Sequence, residues 1–82
     1  MTSHESKPGA IEKALDILLA FFPRNHEMGN VELSEKTGFH IATVNRTLKI
    51  LSKKKFLQQN PKTRKFTLGP AIMALGESFI NA

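Results

Sequence analysis

The sequence contains no cysteine, which excludes disulfide bridges and thiolate metal sites and makes a reducing cytoplasm the expected setting. It also contains no run of about 18 apolar residues, so we expect no segment that spans a membrane. The polar start of the chain, residues 1–9, lacks the apolar stretch of a secretory signal, and we expect it to be a disordered lead. The 82 residues suffice for one small domain with a modest core.

Acidic residues are absent from the stretch between Lys36 and Gly76. Residues 1–40 hold four basic and six acidic residues, a net charge of −2, whereas residues 41–82 hold eight basic residues and one acid, a net charge of +7. All basic residues of the second half lie between Arg46 and Lys65. Such segregation favours a polyanionic partner, and the alternative is a solvated basic face that binds nothing.

The sequence patterns that carry catalysis are missing as well. The three histidines are scattered without metal-ligand spacing, no set of serine, histidine and carboxylate has supporting context, and no glycine-rich phosphate loop occurs. We therefore expect neither an enzyme nor a bound metal or cofactor. The phenylalanines suit core or dimer positions better than a stacking platform, which disfavours single-stranded nucleic acid as the partner.

Helical patterns dominate the chain before residue 55. The first starts near residue 10 and is stopped by Pro23, and the spacing of its apolar residues predicts one buried face. That face comprises Ile11, Ala14, Leu15, Leu18, Phe21 and Phe22. Asn30 is the expected N-cap of a short second helix, which Gly38 ends in the left-handed conformation. Only two residues separate it from a third pattern over about residues 41–54, and this spacing indicates a helix-turn-helix.

After this third pattern the spacing of the apolar residues changes from that of a helix to that of a strand. Residues 56–60 and 65–68 predict two strands, and Pro61 favours a turn between them. A hairpin in this position, over about residues 56–68, is expected to be a wing.

A last helix is predicted to begin at Pro70, where proline suits the first turn. Ile72, Leu75 and Phe79 give this helix an apolar side, and we expect them to serve dimerisation. The predicted fold is mainly α with a small β-hairpin: a winged helix-turn-helix with a three-helix core, a two-stranded wing and a C-terminal linker helix. Its expected segments are the lead at 1–9, the winged domain at 10–69 and the linker helix at 70–82.

The third helix is the candidate recognition element. With Val44 set at zero on a helical wheel, Leu48 and Leu51 fall within about 40° of it, which predicts a buried stripe. The residues within about 40° of the opposite pole are Ala42, Arg46, Lys49 and Lys53. Thr43 and Asn45 flank that exposed face. Small residues at the start of a helix let it approach base edges in the major groove, so the pattern favours duplex DNA.

The exposed residues of this helix have side chains that suit DNA. Asn45 suits an adenine edge or a phosphate, Arg46 a guanine edge or a phosphate, and Thr43 a thymine methyl group or a phosphate oxygen. The lysines suit phosphates, which fix register without specifying sequence, although residues 53–55 cannot all face DNA. His40 is expected either to start the helix or to contact a phosphate.

A second basic cluster lies at the predicted wing tip and comprises Lys62, Arg64 and Lys65. These side chains suit an adjacent minor groove or the flanking phosphates, and the alternative is a solubilising edge that blocks strand addition. The candidate DNA-binding residues are therefore His40, Ala42, Thr43, Asn45, Arg46, Lys49, Lys53, Lys62, Arg64 and Lys65.

Taken in order, several of these stretches resemble the N-terminal DNA-binding domain of the IclR family of bacterial transcription regulators. The resemblance covers about residues 10–76. The stretches that carry it are residues 14–18 (ALDIL), 32–39 (ELSEKTGF), 43–48 (TVNRTL) with Leu51, and 66–70 (FTLGP). They correspond to the first helix, the second helix and turn, the recognition helix, and the end of the wing.

This resemblance implies a homodimer that binds a palindromic operator in double-stranded DNA, more often as a repressor than as an activator. It also implies a small-molecule effector, bound by a larger C-terminal domain that nothing in these 82 residues matches. Ala42 stands where the family often has serine, which removes one phosphate contact. Arg64 replaces a frequent wing glycine of the family and adds charge at the tip. Lys55 stands where glycine usually closes the third helix of the family. We therefore expect the turn that follows the third helix to be less well formed.

The sequence supports a second function besides sequence-specific duplex binding. A winged helix can serve only for protein interaction or dimerisation, and the apolar last helix suits that use. The acid-free stretch favours DNA, because a protein interface has little need to exclude every carboxylate from one face.

Overall fold

The computed structural model describes residues 8–82 and shows a mainly helical chain with one antiparallel hairpin. The elements in chain order are α1 (Ala10–Leu19), α2 (Asn30–Thr37), α3 (Ile41–Lys53), β1 (Leu57–Gln59), β2 (Phe66–Leu68) and α4 (Pro70–Ile80). The expected winged helix-turn-helix is confirmed. Residues 1–7 of the expected disordered lead lie outside the described residues, while Gly9 is the N-cap of α1.

One hydrophobic core joins α1, α2, α3 and the hairpin. Its buried residues are Ile17, Phe21, Met28, Leu33, Val44, Leu48, Leu51, Leu57 and Phe66. The stripe predicted for α3 is correct, since Val44, Leu48 and Leu51 are all buried. Burying each such side chain contributes about 1.5–3 kcal/mol. No polar or charged residue among residues 8–82 is buried, so this core holds by apolar packing.

The predicted face of α1 is only partly right. Phe21 is buried, but Ile11 is 80% exposed and Phe22 is 77% exposed, whereas Ile17, which the prediction left out, is fully buried. The core uses the stripe formed by Ala14, Ile17, Leu18 and Phe21, which follows the i, i+3, i+4, i+7 spacing. The helix is apolar on several sides, so periodicity alone could not select the buried one. It also ends at Leu19 rather than at Pro23, because its last turn tightens before the proline.

The connector between α1 and α2 is part of the wing. Met28 is buried and exchanges two backbone hydrogen bonds with Phe66, of 3.0 and 2.8 Å, so it forms an isolated antiparallel bridge beside β2. The backbone N–H of Leu68 donates to Asn25 Oδ1 at 2.8 Å. These contacts fix the hairpin against the helices at a second point besides the core.

The N-cap of α2 is Gly29, and the prediction of Asn30 was wrong by one residue. The backbone N–H of Gly29 donates to Glu32 Oε1 at 2.8 Å, which is one half of a capping box. Asn30 is the first helical residue, and its side-chain amide forms hydrogen bonds with Val31 and Asn45.

The turn between α2 and α3 is held by side chains as well as by its glycine. Gly38 has φ +80°, as predicted for the end of α2. Ser34 Oγ donates to the carbonyl oxygen of Phe39 at 2.6 Å, and Phe39 N–H donates to Thr37 Oγ1 at 3.2 Å. These bonds set the angle at which α3 leaves α2.

The turn after α3 is well formed, contrary to expectation. Lys55 adopts φ +70°, the conformation that usually takes glycine. Phe56 N–H donates to the carbonyl oxygen of Leu51 at 2.9 Å, and Lys55 N–H donates to that of Ser52 at 3.1 Å. Both bonds of a Schellman motif are therefore made. The lysine is held there against the roughly 1–2 kcal/mol that the left-handed region costs a residue with a Cβ.

We expect Lys55→Gly to raise the free energy of unfolding by about 1 kcal/mol, because glycine adopts this conformation without strain. Urea unfolding followed by circular dichroism measures the change. Lys54→Gly is the matched control: Lys54 has φ −87°, so glycine there relieves nothing and should destabilise. Equal or lower stability of Lys55→Gly would show that its backbone is unstrained.

The last helix, α4, begins with Gly69 as its N-cap and Pro70 in its first turn, as predicted. It packs mainly beside β1, and none of its residues is buried. Within residues 8–82 no helix has the length and apolar character needed to cross a bilayer.

Candidate nucleic-acid interface

The outward face of α3 has the composition that the helical wheel predicts. Ala42, Arg46, Lys49 and Lys53 are exposed, and so is Asn45. Thr43 is half-buried, and its carbonyl oxygen accepts a 2.8 Å hydrogen bond from Thr47 Oγ1. The packing of Val44 and Leu48 on the opposite side fixes the rotation of the helix, so this face cannot turn inward.

His40 occupies the N-cap position of α3. Its carbonyl oxygen accepts from Val44 N–H at 3.0 Å, while its imidazole is exposed and makes no cap hydrogen bond. The first of the two predicted roles, a helix-start residue, is therefore confirmed for its backbone. The phosphate contact of the side chain stays a prediction, and the helix N-terminus at which His40 lies attracts anions.

The wing tip is a rigid turn with exposed basic side chains. Asn60 Oδ1 accepts from the backbone N–H of Lys62 at 2.8 Å and of Thr63 at 3.3 Å. Arg64 has φ +66°, and its N–H donates to the carbonyl oxygen of Asn60 at 2.8 Å. The side chains of Lys62, Arg64 and Lys65 all reach solvent.

A groove of about 370 Å³ separates α3 from the wing. Asn45 and Lys49 line it from α3, and Gln59 and Arg64 line it from the hairpin. The fold thus brings one basic residue from each of the two predicted clusters, Lys49 and Arg64, to opposite sides of one concave surface.

Two carboxylates interrupt the basic surface, although the sequence is acid-free from Lys36 to Gly76. Glu32 Oε1 lies 3.6 Å from Lys65 Nζ. Glu27 accepts from Asn60 Nδ2 at 2.8 Å and from Thr63 Oγ1 at 3.2 Å, and so ties the wing tip to the connector. Sequence inspection missed both, because the partners are far apart in the chain and no local pattern relates them.

The pKa of Glu32 is lowered, chiefly because its carboxylate accepts the Gly29 N–H and further because Lys65 is close. A carboxyl whose pKa is lower in the folded chain stabilises above its unfolded pKa, and that stabilisation is lost as the pH falls through the folded pKa. We expect Glu32→Gln to be less stable than the unaltered chain at neutral pH, with the difference vanishing in acid. Urea unfolding over a pH series tests this, and a difference independent of pH would contradict it.

No group of three or more histidine or carboxylate side chains suited to a metal occurs among residues 8–82.

The proposed dimerisation residues differ in their surroundings. Ile72 is half-buried and, with Leu19 and Phe22 of the α1 end, lines an apolar groove of about 270 Å³. Leu75 is 57% exposed and Phe79 is 83% exposed. The fold thus leaves apolar side chains of α1 and α4 without partners inside one chain.

Comparisons with known proteins agree with this geometry. The family model for the IclR helix-turn-helix domain matches residues 10–61. The HTH-type transcriptional regulator TsaQ1/TsaQ2 of Comamonas testosteroni is 38% identical over 69 residues, which are 84% of this chain and 24% of that protein.

Solved structures of IclR-type regulators share the fold. One from Brucella abortus superposes with a TM-score of 0.85 at 26% identity, covering 99% of this chain and 31% of that one. One from Alicyclobacillus acidocaldarius gives a TM-score of 0.78 at 25% identity, covering 88% and 29%. The chain thus spans about a quarter to a third of the length of these relatives. The exposed basic side chains of α3 and the wing tip form a helix-wing surface that comprises Arg46, Lys49, Lys53, Lys62, Arg64 and Lys65. With its family model, its fold and this surface in agreement, the chain belongs to the IclR family of transcriptional regulators and carries the helix-turn-helix domain of that family.

Proposed function

We propose that the chain binds double-stranded DNA sequence-specifically, with α3 in the major groove and the wing on the backbone or the adjacent minor groove. The observation that carries this proposal is the groove between α3 and the wing, with Lys49 on one side and Arg64 on the other. The major groove of DNA is about 12 Å wide and admits one helix. With α3 in that groove, the sugar-phosphate backbone at its edge would lie next to these basic side chains.

Dimerisation through the exposed apolar side chains of α4 completes this proposal. Ile72, Leu75 and Phe79 would pair with a second copy, and the dimer would bind a palindromic operator whose half-sites lie about 34–36 Å apart. The relatives are longer than this chain, so a small-molecule effector would act through a domain outside these residues. We propose repression as the outcome, because a bound dimer covers its operator.

The salt dependence of binding tests the DNA proposal. Fluorescence anisotropy with a labelled duplex should show affinity falling with salt, with a log–log slope of roughly −0.9 for each phosphate contacted. Lys62→Ala should weaken binding to all sequences alike and reduce the slope by about 1. Lys36→Ala is the matched control, because Lys36 lies in the last turn of α2 beside Asp16 and Leu19 of α1, outside the groove between α3 and the wing, and it should change neither.

The competing function is a winged helix used only for protein interaction, which the exposed side chains of α4 would serve. A gel-shift assay with random duplex at low salt separates the two. If the chain binds DNA, the duplex should migrate more slowly in its presence. If the chain is only a protein-interaction module, the mobility of the duplex should not change.

A further inference from the structure

The direction of the Asn45 amide is set by a chain of hydrogen bonds that starts in α2. The backbone N–H of Val31 donates to Asn30 Oδ1 at 2.8 Å. A backbone N–H can only donate, so the oxygen of the Asn30 amide must face it and the NH2 group must face away. That NH2 group, Asn30 Nδ2, donates to Asn45 Oδ1 at 2.8 Å.

The consequence concerns the exposed end of Asn45. The Asn45 oxygen is turned toward α2, where it accepts from Asn30, and although its second lone pair is left, its direction keeps it away from the opposite side. Its own NH2 group therefore points the other way, and none of residues 8–82 accepts from it. A bidentate contact with adenine needs the Asn45 oxygen to accept from the N6 amino group. A guanine edge, by contrast, offers two acceptors, N7 and O6, and needs only donors.

We infer that Asn30 is a positioning residue that holds Asn45 as a hydrogen-bond donor, so that α3 selects guanine rather than adenine at the base pair facing Asn45. The inference rests on the proposed placement of α3 in the major groove. It also replaces the adenine contact that the sequence suggested.

The end of α2 that carries Asn30 is itself held in place. The adjacent Gly29 N–H is bound by Glu32, whose carboxylate also lies near Lys65 of the wing. The orientation of Asn45 is therefore established before DNA arrives, and the rotamer freedom that a free asparagine would lose on binding is already restricted.

Asn30→Asp is the variant that tests the inference, because aspartate keeps the shape of the side chain and replaces its NH2 donor with an oxygen that accepts. One carboxylate oxygen can still accept from Val31 N–H, but the other can only accept from Asn45. The Asn45 amide must then turn over, donate from Nδ2 to the aspartate and present its oxygen to the DNA. Cytosine and adenine, which carry exocyclic amino donors in the major groove, become the matching bases.

Selection of bound duplexes from a random pool locates the base pair, as the position whose preference is lost in Asn45→Ala. Affinities are then measured for duplexes that differ only at that pair. The unaltered chain should favour guanine by about tenfold, and Asn30→Asp should favour cytosine or adenine by a similar factor. The added charge weakens binding to every sequence, so the ratio between duplexes is the readout.

Asn30→Ala provides a second variant that adds no charge. It should bring the ratio toward one, and thermal melts by circular dichroism check that each variant folds. Duplex binding with an unchanged ratio in both variants, or an adenine preference in the unaltered chain, would overturn the inference alone. Failure of the unaltered chain to bind any duplex would overturn the proposed function and the inference together.

Discussion

Arg46→Gln is expected to weaken binding to the selected duplex by about 1–3 kcal/mol and to relax the preference at one base pair. Arg46 is exposed in the middle of the α3 face, where a guanidinium can donate two hydrogen bonds to a guanine edge. Its stem also borders an apolar groove with Thr43 and Ile50, so glutamine is a better test than alanine because it retains part of that contact.

Arg46→Lys separates charge from geometry in the same assay. Lysine keeps the positive charge but loses the planar fork, so it should retain affinity for random duplex and lose discrimination at that base pair. Lys36→Gln removes one exposed charge away from α3 and should leave the affinity unchanged. Unaltered binding by Arg46→Gln would mean that α3 does not lie in the groove as proposed.

Gly69→Ala is expected to destabilise the fold by about 1–3 kcal/mol or more, because there is no room for a methyl group. A Cβ at Gly69 would lie 2.4 Å from the carbonyl oxygen of Lys55 and 3.0 Å from the backbone of Leu57. The same carbonyl oxygen accepts from Ala71 N–H at 2.9 Å, so the clash would also disturb the start of α4.

Gly76→Ala is the matched control within α4. A Cβ at Gly76 meets nothing within 4 Å, so alanine there should stabilise by roughly 0.5–1 kcal/mol through helix propensity. Urea unfolding of both variants measures the contrast. Equal stabilities would contradict the close backbone approach between the wing and the linker helix.

Predictability of the helices from sequence depended on how many apolar stripes each carries. The α3 sequence has one stripe, so its buried residues and its bounds followed to within one residue. The α1 sequence offers a second stripe through Ile11, Leu15 and Leu19, all of them exposed. Which stripe packs inward is decided by tertiary contacts, and local periodicity contains no information about those.

The candidate site is likewise predictable from the sequence only in part. The exposure of most α3 and wing candidates follows from local patterns and is present in the structure, although Thr43 is half-buried. The contacts that shape the surface join distant parts of the chain: Glu27 with Thr63, Lys65 with Glu32, and Asn30 with Asn45. Polar residues in a loop or at a helix start give no local signal of such partners, so these pairs could be found only in the folded chain.

The position of the wing relative to α3 depends on these same contacts. Glu27 binds the tip of the turn, and Met28 extends the hairpin by two backbone hydrogen bonds. Because the basic side chains of the wing are carried on this unit, in the proposed complex they would meet DNA at a fixed distance from α3, which would limit the entropy lost on binding.

The most direct test of the account is a map of the duplex contact on the chain itself. In a titration of the isotope-labelled chain with its selected duplex, the largest amide shifts should occur in residues 40–53 and 60–65. With a duplex cut back to a single half-site, which cannot bring two copies together, the exposed residues of α4 beyond Leu75 should change little. Shifts centred on α4, with Arg46 and Lys49 unaffected, would contradict the claim that the helix-wing surface binds DNA.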